Sequence, residues 1–213
     1  MNVGLSNLVT LKAQLLAPAA QATTTWDPLI IALGQGVEAQ MENFCDHKFA
    51  RVVGDQFVCQ GDRASFVLQR YPVEVISLVE FLYDNAVGWV STGPNVPIIE
   101  TNNPLSGVCY LQDDIDAGRF WNQIRITTTA GYFFEQLEPT DPGYPTAVPP
   151  TSFALPNDLF FAWILQCKRV WQEFDPLGER ISESGSVQKE PADLELVPAV
   201  KAMLARYRRQ QLV

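Results

Sequence analysis

DPLIIALGQGVEAQMENFCDHK, residues 27 to 48, admits two folds. Parsed one way, LII ends a buried strand and Gly34, Gly36 and Ala39 form a G-x-G-x-x-A turn. Asp55 in the later RVVGD would then be the ribose-binding acid of a dinucleotide-binding domain. Parsed the other way, the stretch is one long helix. Asp27 caps it, and Pro28 takes the first helical position, where its missing N–H is no loss. Ile30, Leu33, Val37, Met41 and Phe44 then recur at steps of three and four along one face. The stripe runs unbroken through both glycines, and no alternation of strands and helices follows Asp55, so the helix is the better reading.

Helical spacing also marks the flanks. Leu5, Leu8, Leu11, Leu15 and Leu16 predict a helix over residues 5–16 with Ser6 as its cap, followed by a loose APAAQATTT. Near the other end, Phe160, Ile164, Cys167, Trp171 and Phe174 share one face of a helix capped by Asn157 or Asp158. Val197, Val200, Leu204 and Tyr207 form a narrower stripe in a last helix. Between these ends the chain changes character. RVVGDQFVCQG, SFVLQRYPVEVISLVEFLYDN, GWVSTG, GVCYLQ and QIRITTTAGY are short segments rich in Val, Ile, Tyr and Phe, separated by Gly, Asn, Asp and Pro. They predict an antiparallel β region over 51–134.

The expected fold is therefore α+β: a helical bundle of two N-terminal and two C-terminal helices with an inserted antiparallel β region. Residues 5–48 and 156–178 make the bundle core, and 51–134 the insertion. Residues 135–155 form a proline-rich loop, and 179–213 an acidic linker with a C-terminal docking helix. In QIRITTTAGYFF, residues 123–134, Ile124, Ile126 and Thr128 should face one side and Arg125, Thr127 and Thr129 the other. The threonines suit a half-buried edge, and Gly131 supplies the freedom to leave the sheet, with Tyr132 pinning the exit.

Bulk properties narrow the function. The chain has 213 residues, 47% of them hydrophobic, and a net charge of −9. Such a chain can bury a core but is poorly suited to wrap nucleic acid, which needs Lys and Arg against phosphate. Cys45, Cys59, Cys109 and Cys167 are scattered, unlike a disulfide scaffold or a zinc module. No run is long enough to span a bilayer, and the N-terminus lacks a signal-peptide pattern. A soluble cytoplasmic product is expected, with no membrane partner.

Four features invite a site. His47, the one histidine, lacks companion metal ligands or a nucleophile elbow and reads as a partly exposed cap residue near a helix end. Asp113, Asp114 and Asp116 do not match a calcium loop and read as a solvated turn. Lys201, Arg206, Arg208 and Arg209 make a basic patch at the C-terminus, either an exposed helix face or a docking tail for an acidic partner. Gly34 and Gly36 belong to the helix described above. No catalytic or metal-binding constellation emerges and no cofactor is expected; the reading is a structural or interaction protein, not an enzyme.

Four stretches carry a family resemblance. They are LKAQLL with the long DPLIIALGQGVEAQMENFCDHKF helix; FVCQGDRASFVLQRYPVEVISLVEF, similar to L-x-x-Y/W-P-V-x-x-V-x-x-V; IRITTTAGY, similar to V-x-V-x-Y-x-A-G-Y; and LPNDLFFAWILQCKRVWQEFDPLG, similar to L-P-x-D-L-x-x-A. In this order, over about residues 8–178, the chain resembles the head–tail connector (adaptor) proteins of long-tailed bacteriophages and related gene transfer particles. Asp46-His47-Lys48 departs from the family, which often has arginine there, and the β insertion and proline loop are longer than in its smallest members.

The resemblance implies a structural neck protein of the virion, made in the host cytoplasm. It implies a ring, usually of twelve subunits, beneath the portal protein, extending the DNA channel and presenting a surface to a stopper or tail-completion protein. DNA would pass without specific binding, helped by an acidic lumen that includes Asp113, Asp114 and Asp116. Within this frame, Ile30, Leu33, Val37, Met41, Phe44, Phe160, Trp163, Ile164 and Trp171 are assigned to bundle and inter-subunit packing. Val197, Val200, Lys201, Leu204, Arg206, Tyr207, Arg208, Arg209, Leu212 and Val213 are assigned to portal docking, with their stripe ordering on binding. The alternatives are another neck component, such as a head-closure or tail-completion protein, a generic β-containing binding module, and, remotely, a dinucleotide-binding enzyme.

Overall fold

The computed structural model describes residues 3–60, 65–82, 88–91, 98–100, 104–111, 123–134, 151–173 and 195–209, which fall into two compact units. The first is helical and holds 3–45, 155–173 and 195–206; the second holds the described residues of 46–134 with 151–154 and 207–209. The class is α+β, as expected.

The helical unit contains α1 (Leu8–Leu15), α2 (Pro18–Gln21), α3 (Asp27–Cys45), α4 (Asn157–Glu173) and α5 (Pro198–Leu204). The cap of α1 is Asn7 rather than Ser6: its side chain accepts a 2.8 Å hydrogen bond from the Thr10 N–H. Ser6 is instead buried within the preceding turn, where its carbonyl accepts from the Val3 N–H at 2.9 Å. The stretch read as loose contains the single turn α2. Lys12 is buried on α1, and its ammonium donates to Asp27 Oδ1 at 2.6 Å and to the Thr23 carbonyl at 2.5 Å. A buried cation needs such partners. Here they tie the start of α3 to α1.

The 19-residue α3 confirms the helix reading and moves its stripe. Ile30, Val37 and Met41 are buried as expected, but Gly34 and Cys45 take the buried positions assigned to Leu33 and Phe44, which are half-buried. Backbone crowding explains the shift. A Cβ on Gly34 would lie 2.7 Å from the Val3 carbonyl oxygen and 2.8 Å from Val3 Cγ1, whereas one on Gly36 would meet nothing within 4 Å. One glycine is a packing contact and the other faces open space. The helix ends where Asp46 takes a left-handed φ of 49°, a conformation that Asp tolerates better than most residues.

The β unit contains β1 (Val52–Gln60), β2 (Ser65–Val67), β3 (Val73–Leu82), β4 (Trp89–Ser91), β5 (Ile98–Glu100), β6 (Val108–Leu111), β7 (Gln123–Ala130), β8 (Tyr132–Phe133) and β9 (Phe153–Ala154). Among the described residues three sheets form: β1-β7-β3-β4 and β2-β6-β5, both antiparallel, and a short parallel pair β8-β9. The sequence reading missed β5, and it missed β9 inside the stretch taken for a loop. It also placed the threonine strand at an edge. Instead β7 is central, paired on both sides, so its β-branched run lies between β1 and β3. Ile124, Ile126 and Thr128 do face the core, which they share with Phe66, Leu68, Tyr71, Val79 and Phe81.

Gly131 turns β7 into β8 with φ 102°, and a Cβ there would lie 2.5 Å from the Ala50 carbonyl oxygen. The chain remains in the β unit past this point. The Tyr132 N–H donates to the Phe49 carbonyl at 2.7 Å and its carbonyl accepts from the Arg51 N–H at 3.0 Å.

Candidate functional site

The C-terminal segment was expected to be an apolar stripe awaiting a partner. Among its described residues, most of the apolar side chains are instead packed within the fold. Leu196, Val200 and Leu204 are buried in the helical unit. The entry to α5 is held by Gln166 of α4, which is itself fully buried. Its Nε2 donates to the Glu195 carbonyl and its Oε1 accepts from the Val197 N–H, each at 3.0 Å. The Cys45 thiol donates weakly to the Leu204 carbonyl at 3.8 Å. The physical reason is straightforward: a narrow stripe beside α4 gains more by covering α4 than by remaining in water.

The basic residues of that segment are partly engaged too. Lys201 pairs with Glu195 at 3.2 Å, and Arg206 pairs with Asp158 while remaining largely exposed. In the β unit, Tyr207 is buried and its carbonyl accepts from the Tyr71 hydroxyl at 3.1 Å. Arg209 donates to Asp46 Oδ2 at 3.2 Å and to the Val67 carbonyl, with its guanidinium 5.9 Å from the Phe57 ring centre. Arg208 is exposed. Leu212 and Val213 lie outside the described residues, as do Asp113, Asp114 and Asp116.

His47 is not a partly exposed cap residue. Only 2% of it is accessible, and its ring stacks on Tyr71 at 3.5 Å between centroids, with Phe49 edge-on at 4.9 Å. Its Nε2 lies 2.7 Å from the Tyr71 carbonyl, an acceptor only, so Nε2 carries the proton of the neutral ring. Burial is the main cause that lowers its pKa to about 4. The carbonyls of Tyr71 and Tyr207 act the other way, and Arg70 and Arg209 reinforce the lowering. The neutral ring is a packing element. Among the described residues no cluster of His, Cys, Asp or Glu could hold a metal, and no disulfide joins the four cysteines.

The packing residues divide between core and surface. Trp163 is fully buried and its Nε1 donates to the Gly34 carbonyl at 3.0 Å; Ile164 is buried beside it in sequence. Phe160 and Trp171 are half-buried, Phe160 6.1 Å from Trp163 and Trp171 edge-on to Trp26 at 6.1 Å. Phe161 projects outward, 54% exposed.

A second surface was missed altogether. On the side of the four-stranded sheet away from its core, Val53, Val58, Val75 and Leu78 flank Arg125, Thr127 and Thr129 of β7. Strict alternation could not place them. Register shifts lie between Val53 and Asp55, between Val73 and Val75, and between Ile76 and Leu78. Each bulge adds one residue and reverses the facing of what precedes it. Only Gly54, at φ 74°, hints at one of them in the sequence.

No protein-family model matches the chain, and no curated protein matches it. Solved structures do. A chain of "Neck of empty GTA particle computed with C6 symmetry" is similar at 13% identity and a TM-score of 0.57, over 100% of this chain and 95% of that one. "Virion of native gene transfer agent (GTA) particle" gives 15% identity and 0.54, over 100% and 95%. "Neck of native GTA particle computed with C12 symmetry" gives 15% and 0.50, over 100% and 98%. At such identities the likeness is one of fold: this chain is folded like components of gene transfer agent particles, in agreement with the head–tail connector resemblance of its sequence.

Proposed function

We propose that the chain is a structural neck protein, one subunit of a ring seated under the portal that extends the DNA channel and joins the capsid to the stopper or tail. The observation that carries this reading is the full-length likeness to chains of particle necks solved with six- and twelvefold symmetry. A likeness spanning both units favours a whole adaptor over a shared subdomain.

Charge supports the same role. Twelve copies at −9 each carry −108, and a lumen of that sign repels DNA phosphate rather than holding it. Asp113, Asp114 and Asp116 are assigned to that lumen. Because Val200, Leu204 and Tyr207 are buried, docking to the portal falls to the charged side of the C-terminal segment. Lys201, Arg206 and Arg208 contact the partner there, with Arg209, Leu212 and Val213 beyond them and Val197 at the entry.

Deleting the gene in cells that make the particle should leave DNA-filled heads and finished tails unjoined; normally joined particles would refute the role. Reversing Lys201, Arg206 and Arg208 to Glu should abolish portal capture by purified full-length chain while its circular dichroism is unchanged. Undiminished capture would remove this segment from the docking surface.

A further inference from the structure

The four-stranded sheet is built unequally. One face carries the core, and the other carries aliphatic side chains where an antiparallel sheet facing water ordinarily carries polar ones. Val53 is 70% exposed, Val58 and Val75 48% each, and Leu78 40%. The pairing sets them in rows across the sheet: Val53, Thr129 and Val75; Gln56, Thr127 and Leu78; Val58, Arg125 and Glu80. We infer that this open face is a subunit contact, covered by a second copy of this chain. The inference rests on the ring-forming role proposed above and names the surface that makes the ring.

Two properties prepare the face for burial. Its charges cancel: Arg125 Nε donates to Glu80 Oε2 at 2.7 Å, and the guanidinium lies 4.5 Å from the Trp89 ring centre. Excluding water from this triad leaves no unpaired charge, the condition that makes a buried ion pair tolerable. The apolar residues are also mostly valines, whose stiff χ1 leaves little side-chain entropy to lose on contact.

Charge selects the occupant. Each chain carries −9, so two copies repel unless they meet through patches without net charge. The charged side chains that the pairing sets on this face, Arg125 and Glu80, sum to zero. A basic partner would be drawn to the acidic remainder of the chain, and an acidic partner finds no unneutralised cation here. A closed ring needs a different counter-surface on the neighbour. Among the described residues, apolar area for it is offered either by Val9 and Phe161 of the helical unit or by Leu105 and Tyr110 of the β unit, all exposed.

The test places the photoreactive amino acid benzoylphenylalanine at position 78 of the full chain, with exposed position 172 as control. Both are irradiated in purified protein over a concentration series and in assembled particles. Position 78 is expected to yield adducts to a second copy, rising with concentration, and position 172 is not. Adducts only to another protein, only within one chain, or none in either sample overturn the inference. A Val58→Lys/Leu78→Lys variant should keep its thermal melt and raise the self-dissociation constant by about tenfold or more; unchanged sedimentation relative to the parent would also overturn it. The two readings fail separately. Self-adducts from a chain that is absent from particle necks would defeat the neck role alone. A chain present in necks without self-adducts at position 78 would defeat this inference alone.

Discussion

Replacing Gly34 by alanine, and separately Gly36, asks whether α3 packs as described. On an exposed helix face, alanine is better than glycine by about 1 kcal/mol. A Cβ at position 36 meets nothing within 4 Å, so Gly36→Ala should be stabilising by about that amount. At position 34 the same gain is opposed. The added carbon would sit 2.7 Å from a backbone oxygen of Val3, 2.8 Å from Val3 Cγ1 and 3.0 Å from Leu11 Cδ2. Two of these contacts are too short to persist, and one is with backbone, so the 3–6 turn must move away from α3. Its displacement also strains the approach of Trp163, whose Nε1 bonds the Gly34 carbonyl. Overpacking of this kind costs about 1–3 kcal/mol. The net expectation is a loss of up to about 2 kcal/mol, a separation of about 1–3 kcal/mol between the variants, or roughly 2–12 °C in Tm. Urea unfolding followed by the fluorescence of the five tryptophans measures it. Equal stabilisation of both variants would refute the close approach of residues 3–6 to α3. Destabilisation by both would point back to a glycine-rich turn before a helix.

Three further outcomes follow from the β unit. Gly131→Ala should lose about 2–4 kcal/mol in denaturant unfolding, because φ 102° and the 2.5 Å approach to the Ala50 carbonyl oxygen both exclude a side chain; a loss within the error of the melt would contradict the β7–β8 turn. Arg51→Ala should cost about 2–3 kcal/mol, since it strands Glu74, whose side chain is 2% accessible and bonded to Arg51 at 2.6 and 2.8 Å, while Arg51→Ala/Glu74→Leu should recover most of it. His47, with its pKa lowered from 6.5 to about 4, contributes a stability that is full above pH 6.5 and is lost as pH falls toward 4, because the unfolded chain takes up the proton first. At pH 5 the loss is about 2 kcal/mol. A His47→Gln variant should lack this part of the pH dependence, and identical slopes in both proteins between pH 7 and 5 would refute it.

Local patterns in the sequence determined the elements. The Asp27-Pro28 start and the three- and four-residue steps after it read as a helix once no alternation of strands and helices follows, and α3 is that helix. The β-branched runs became strands, and within β7 the alternation correctly sorted Ile124, Ile126 and Thr128 from Arg125. Gly131 was legible as a turn because only glycine tolerates that backbone. These readings succeed because helix and strand periods are properties of neighbouring residues, satisfied before any distant contact is made.

Only the tertiary structure decided what each face meets. Gly34 is buried because Val3 arrives over it, and Leu33 is pushed aside. His47 is buried because Phe49 and the distant Tyr71 enclose it, and nothing near it in sequence announces Tyr71. The C-terminal stripe is covered because α4 lies beside it. Three bulges, each invisible to a strict alternation, placed Val53, Val75 and Leu78 on the open side of the sheet. Burial, register and partner are set by residues far apart in the chain. A period read along the sequence names a face, and only packing says what covers it.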